Sequence, residues 1–336
     1  MFPHTIKNVS PDIHEKLSSH FIGGKDGFVE VGKEKWMLPA KYAEQAAGYY
    51  NFPPRSDDVW IMTFPRSGTT WCQELIWLMK NDLDFKKSSE SLLSERSPFF
   101  ELSFLYNDDL KKHYLDLNQD PTIVKYLNYI WTPGYEYCAD LPSPRVIKTH
   151  MPFSLLSPSL LETSKVIYVA RNPKDVFISY YHHNRLVNIL YHGYRGDMQS
   201  YWKFFKEELV CFSPYWEHLR QAWAQRSHPN MLFLFYENLS RDLRSEIKKI
   251  AKFLDLQYSE EQFQQLVDHL KIENFRQNVP VWPELKGIFA ENEGDFIREG
   301  KVGGGDPEMT PELLEEIEKW TEANLQDTDL RFPVKR

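Results

Sequence analysis

VWIMTFPRSGTTW, residues 59–71, decides the fold. Its first part, VWIMTF (59–64), is an apolar run rich in β-formers, which predicts a buried strand. Beyond the turn residues, Trp71, Leu75, Leu78 and Met79 recur at helical spacing, so the strand passes directly into a helix. A strand that ends in a glycine-containing turn and opens a helix gathers free backbone N–H groups and the positive end of a helix dipole around one point. That point is an anion site, usually for phosphate. Ser67, Thr69 and Thr70 add hydroxyl donors, and Arg66 adds a fixed positive charge. The loop is not a Walker A sequence, because GxxxxGK[ST] needs an earlier glycine and a lysine directly after the second, where this chain has Thr69. Standing alone, the stretch would be explained equally well by an ordinary Ser/Thr-capped helix.

Outward from it, RVIKT (145–149), VIYVA (166–170) and MLFLFYE (231–237) read as three further strands, and KDVFISYYHHNRLV (174–187) as a helix. Ser240 is expected to cap a helix with Leu243, Ile247, Ile250, Ala251 and Leu254 on one face. Ser259 and Gln262 have capping-box spacing ahead of Phe263, Leu266, Val267 and Leu270, and Thr310-Pro311 opens a last helix. Strands alternating with helices predict a single α/β domain: a mostly parallel β-sheet flanked by helices, with a P-loop-like phosphate-binding strand-loop-helix. Residues 1–50 are mixed in character, and Gly23, Gly24, Gly27 and Gly32 are expected to break any helix there. They read as an extension packed on a main domain of residues 51–336.

Composition narrows the function. Of 336 residues, 42% are hydrophobic and 15% aromatic, enough for a large core and for an apolar ligand pocket. The net charge of −8 argues against nucleic acid or an anionic membrane as a partner, so any bound anion must be held by a local cluster of cations. The three cysteines (Cys72, Cys138, Cys211) have no CxxC spacing, which disfavours a disulfide framework or a zinc site and fits a reducing, cytoplasmic setting. MFPHTIKNVS lacks a signal-peptide pattern, and no stretch reaches the ~18 apolar residues of a membrane span.

Two more segments carry chemistry. In VIYVARNPKDVFISYYHH (166–183), Arg171 follows the strand and Ser179 lies two turns into the next helix, so the pair can converge on a second phosphate. RVIKTH (145–150) ends with Lys148 and His150, which point to the same side while the chain stays extended. A cation beside a titratable imidazole suits transfer of an anionic group onto a hydroxyl. A lone KxH is usually incidental; here its weight comes from its neighbours.

Together, TFPRSGTTW, KTH and ARNPKDVFISYYH resemble the cytosolic sulfotransferases, which use 3′-phosphoadenosine 5′-phosphosulfate (PAPS) and release the bisphosphate PAP. The resemblance runs from about residue 55 to 310, and the N-terminal extension and FPRSGTTW are most similar to insect members, a group that includes a retinol dehydratase. It implies that Arg66 contacts the oxygen bridging phosphate and sulfate, in place of the family's usual lysine. By the same match Ser67, Gly68, Thr69 and Thr70 wrap the 5′-phosphate, and Trp71 stacks on adenine. Lys148 steadies the transferring group and His150 is the general base. Arg171 and Ser179 bind the 3′-phosphate, Tyr236 contacts adenine, and Phe275 corresponds more loosely to an adenine-stacking residue, a core aromatic being the alternative. Tyr181 and His183 would face the acceptor. No metal is implied.

The chain departs from the family in places. REGKVGGGDPEMT (298–310) replaces RKGxxGDWKxxFT: Arg298 and Gly300 remain for the 3′-phosphate, but Glu299 puts a negative charge beside them. The dimer motif KxxxTVxxxE falls on Asp306, Thr310, Pro311 and Glu315, so the expectation is a monomer or a dimer built on another surface. The activity implied is sulfuryl transfer from PAPS to the hydroxyl of a small, largely apolar alcohol or phenol. The rival readings are sulfation followed by sulfate loss, which dehydrates an allylic alcohol, a P-loop small-molecule kinase, and a ligand-binding protein that kept the fold.

Overall fold

The computed structural model describes residues 2–106, 108–187, 193–281, 283 and 303–334. Its centre is a four-stranded parallel sheet of β4 (Val59–Met62), β5 (Val146–Thr149), β6 (Lys165–Ala170) and β7 (Met231–Phe235), in the order β5-β4-β6-β7. β4 is apolar and buried throughout and β6 is buried beyond Lys165, as strands covered on both faces by helices require. The chain passes from β4 to β5 on one side of it, and the connection from β5 then crosses to β6 on the other side. This creates a topological switch point at the carboxyl end of β4, where open α/β sheets bind ligands. The register sets Ile61 beside Lys148 and Met62 beside Tyr168, so the loops after β4, β5 and β6 leave the sheet together.

The VWIMTF run ends as a strand at Met62, and the following helix is Thr69–Lys80. Leu75, Leu78 and Met79 are buried on it, packed with β4 and β6 residues Ile61, Ile167 and Val169. Asn172 caps the Pro173–Leu186 helix through Lys174 N (3.0 Å). The Ser259–Gln262 capping box forms in both directions, and Thr310 caps the Pro311–Leu325 helix through Leu313 N (3.2 Å). Two expectations need correction. MLFLFYE leaves the sheet at Phe235, and Tyr236 opens a short helix, Tyr236–Arg241, that contains Ser240. The cap of Leu243–Phe253 is therefore Asp242, which takes non-helical dihedrals and accepts from Ser245 N at 3.1 Å.

The N-terminal region is more regular than its glycines imply. β1 (Ile6–Asn8), β2 (Phe28–Val31) and β3 (Trp36–Pro39) make an antiparallel sheet, and helices form at Pro11–His20 and Tyr42–Tyr50, outside Gly23, Gly24, Gly27 and Gly32. Ser10 and Pro11 supply the N-cap and first position of the earlier helix. β3 bonds to the segment after residue 210: Met37 N donates to Ser213 O and Phe212 N to Met37 O, both at 2.9 Å. Trp36 Nε1 reaches Ser154 Oγ at 3.0 Å. No helix among the described residues is long and apolar enough to cross a membrane.

Candidate active site at the carboxyl edge of the parallel sheet

After β4 the chain turns twice through left-handed backbone, at Arg66 (φ 68°) and Gly68 (φ 97°). A Cβ on Gly68 would stand 2.5 Å from Tyr236 Cδ2, so the glycine is required by its φ and by the ring pressed onto it. A non-glycine residue in this conformation costs of order 1 kcal/mol, which marks the Arg66 loop as a place where strain is tolerated for function. The turn presents the N-terminal N–H groups of the Thr69–Lys80 helix, with Ser67 and Thr69 buried and Thr70 half-buried. A glycine-shaped cradle, a helix N-terminus and two arginines are the donor set an anion such as a phosphosulfate needs.

Arg66, Arg171 and Ser179 are joined in one network. Arg66 Nε donates to Ser179 Oγ at 3.1 Å, and Arg171 Nη1 donates to the carbonyl of Arg66 at 2.9 Å. Arg171 also lies 4.3 Å over the Tyr236 ring. Tyr236 faces Trp71 edge-on at 6.1 Å, and Trp71 Nε1 is fixed by Leu270 O at 2.9 Å. Phe275 is buried in the apolar cluster that contains Tyr236 and Leu270, and Trp71 packs against that cluster. Arg298, Glu299 and Gly300 lie outside the described residues.

Lys148 and His150 do share one side. Segment 98–100 runs along the edge of β5, with Lys148 N donating to Pro98 O (2.9 Å) and Phe100 N to Lys148 O (2.8 Å). This brings the Phe99 ring to both residues: Lys148 Nζ is 3.9 Å from its centroid, and the His150 ring meets it edge-on at 5.1 Å. Phe212 closes the other side of the imidazole at 5.6 Å. His150 Nδ1 lies 2.9 Å from the carbonyl oxygen of Thr63, which can only accept, so the ring proton sits on Nδ1 and Nε2 keeps its lone pair. Burial, then the charge of Lys148, drive the His150 pKa well below 6.5, against the bond to Thr63. The ring is a neutral base at neutral pH. Burial also lowers the Lys148 pKa, with Glu101 opposing and Arg66 adding to the fall.

Three contributors escaped the sequence reading. Thr63 Oγ1 bonds Thr69 Oγ1 at 2.6 Å and lies 3.1 Å from His150 Nδ1, which ties the anion loop to the imidazole. Glu101, fully buried, accepts from His150 N and from Thr149 Oγ1 (2.8 Å). Phe99 supplies the ring between Lys148 and His150. Thr63 stood inside the quoted motif; a lone carboxylate inside the apolar run FFELSF (99–104) was the one available sign of Glu101. The Tyr181 hydroxyl donates to Glu308 (2.7 Å) and accepts from Arg185, and so docks the segment after residue 303. Asp306 is buried against His182 Nε2 at 2.7 Å, and Thr310 is committed to its helix cap. Among the described residues no three His, Cys, Asp or Glu side chains cluster closely enough to hold a metal ion.

Comparison with known proteins agrees with this geometry. The sulfotransferase domain family matches residues 56–329. Luciferin sulfotransferase of Photinus pyralis is 36% identical over 307 residues, covering 89% of this chain and 80% of that protein. Sulfotransferase 1 family member D1 of Mus musculus is 31% identical over 86% of this chain and 90% of its own length. A solved structure of retinol dehydratase with androsterone and inactive cofactor PAP superimposes with a TM-score of 0.90 and 37% identity, over 99% of each chain. The family match removes the kinase reading, and with the KTH and FPRSGTTW segments meeting at one sheet edge, the chain belongs to the sulfotransferase family.

Proposed function

We propose that this enzyme moves the sulfuryl group of PAPS to the hydroxyl of a small, largely apolar alcohol or phenol, with His150 as base. The observation that carries the reading is the His150 ring: Nδ1 is spent on Thr63 O, which leaves Nε2 unprotonated, and His150 and Lys148 both lie against the Phe99 ring. PAPS supplies the sulfuryl group and, as leaving group, the 5′-phosphate. The acceptor hydroxyl gives its proton to Nε2 as its oxygen bonds sulfur; the sulfur–oxygen bond to the 5′-phosphate breaks, and its electron pair leaves on the phosphate. Arg66 and Lys148 offset the charge that builds on the bridging and sulfuryl oxygens. The Ser67–Thr70 loop holds the phosphate still, so that positioning and electrostatics carry the barrier reduction. Ser179 and Arg171, with Arg298 and Gly300, are assigned to the 3′-phosphate, and Trp71, Tyr236 and Phe275 to adenine. Phe99 and Phe212 beside the imidazole suit an apolar acceptor.

A second outcome rests on the likeness to retinol dehydratase, solved with retinol and PAP at 37% identity across 99% of both chains. With an allylic alcohol, the ester formed here loses sulfate before release, giving net dehydration. Turnover of labelled PAPS with retinol, androsterone and 2-naphthol, followed by mass analysis, separates a stable ester from a dehydrated product. Magnesium independence completes the test. We assign residues 51–336 to the catalytic domain and 1–50 to an extension. The enzyme is assigned to the cytoplasm, in keeping with three buried free cysteines. The internal use of Asp306 and Thr310 favours a monomer, or a dimer that avoids residues 306–315.

A further inference from the structure

The Tyr215–Ala224 helix carries a histidine outside every motif above. His218 is buried (1% exposed), with the Trp36 ring edge-on at 6.2 Å and the Phe64 ring at 5.8 Å. A polar ring in such a place must have both nitrogens satisfied. Its Nε2 lies 2.9 Å from the backbone carbonyl of His150, and its Nδ1 lies 2.7 Å from the Tyr168 hydroxyl on β6. The carbonyl can only accept, so Nε2 carries the proton, and Nδ1 accepts from Tyr168. The Tyr168 hydroxyl is in turn hydrogen-bonded by the backbone of Phe64, one residue after Thr63. Burial holds the His218 pKa down at about 4, which keeps the ring neutral.

We propose that His218, with its tautomer set by Tyr168, is a positioning residue for His150. The inference rests on the reading of His150 as base. His150 is held at three atoms by three parts of the chain: its N–H by Glu101, its Nδ1–H by Thr63 O, and its carbonyl by His218. Each alone leaves a rotation open; together they fix where Nε2 stands. One turn along the same helix, Gln221 Oε1 accepts from Ser154 N at 3.1 Å. The helix therefore grips the loop after β5 at two points four residues apart. His218 touches neither nucleotide nor acceptor in this scheme. Its effect passes through the backbone of His150, where a displacement of about 1 Å is enough to lower turnover by up to 10²-fold.

The test uses the full chain with His218→Phe, which keeps the ring shape, His218→Gln, which restores an N–H donor at the reach of Nε2, and Tyr168→Phe. Turnover is read with the fastest of retinol, androsterone and 2-naphthol, nucleotide affinity by calorimetry with PAP, and folding by Tm. Histidine-selective NMR of the PAP complex, which needs no turnover, reads the His150 tautomer. We expect kcat to fall ~10-fold in His218→Phe and several-fold in Tyr168→Phe, with PAP affinity and Tm near wild type and His218→Gln recovering most of the loss. In the NMR spectrum His150 Nδ1–H is protected from exchange in wild type and loses that protection in His218→Phe. Unchanged kcat and an unchanged His150 signal in His218→Phe overturn the proposal. So does an equal loss in the Phe and Gln variants accompanied by a lowered Tm, which would make His218 a packing residue. His150→Ala is the control: if it turns over normally the base reading itself fails, whereas loss in His150→Ala with no effect in His218→Phe removes only the positioning role.

Discussion

The two ends of the parallel sheet handle charge in opposite ways. At the amino end Asp58 and Arg145, which precede β4 and β5, form a buried pair: Arg145 Nε donates to Asp58 Oδ1 at 2.7 Å, and Nη2 donates to the other oxygen. Arg145 Nη1 goes to Cys138 O and Arg55 N to Asp58, so that edge is a closed, charge-balanced lock. At the carboxyl end, Arg66 meets the Ser179 hydroxyl, Arg171 meets the Arg66 carbonyl and the Tyr236 ring, and Lys148 lies over the Phe99 ring. Positive charge is concentrated there beside a helix N-terminus, with the buried carboxylates of Glu101 and Glu237 acting on Lys148 and Arg171. The same strands thus carry a structural pair at one end and a reactive cluster at the other, separated by the four residues of each strand.

This contrast can be broken by mutation. Asp58→Asn strands a buried guanidinium and should destabilise the fold by about 3–5 kcal/mol in denaturant unfolding, while kcat of the folded enzyme stays at the wild-type value. A kcat loss without a stability loss would erase the distinction between the ends. His150→Ala reverses the pattern: kcat should fall by ~10²-fold or more with PAP affinity retained, and wild-type turnover would take His150 out of the mechanism. Arg66→Ala should cost roughly 10²-fold, while Arg66→Lys keeps most of the activity because the charge remains. Equal behaviour of those two variants would show that charge at residue 66 is not catalytic.

The mildest effect is on the pH profile. Turnover needs His150 neutral, so it falls as pH drops through the His150 pKa, which burial and Lys148 bring well below 6.5. It also needs Lys148 charged, so it falls as pH rises through the Lys148 pKa, which burial brings below 10.5. The expected kcat/KM profile is a plateau across neutral pH; an acid limb at or above 6.5 contradicts the environment described for His150.

Much of this was legible in the chain. The apolar runs announced all four parallel strands, and TFPRSGTTW, KTH and the Arg171–Ser179 spacing predicted groups that stand together at one edge. What escaped was set by contacts between distant segments. Tyr236 reads as strand because tyrosine favours strands, yet the ring is held between Gly68 and Arg171 and the backbone turns into a helix there. Ser240 and Asp242 are both fair caps, and the preceding helix chose between them. Glu101 and His218 reach His150 across 49 and 68 residues, through a backbone N–H and a carbonyl that carry no sequence signal.

The most direct test of sulfuryl transfer follows radiolabelled sulfur from PAPS with retinol, androsterone and 2-naphthol, in wild type and His150→Ala, in the absence of magnesium. The label should pass to 2-naphthol or androsterone as an ester, or appear as free sulfate alongside dehydrated retinol, with PAP formed in equal amount and the rate lost in His150→Ala. PAPS that remains intact with every acceptor while PAP binds tightly would contradict it and leave a binding protein on a sulfotransferase fold.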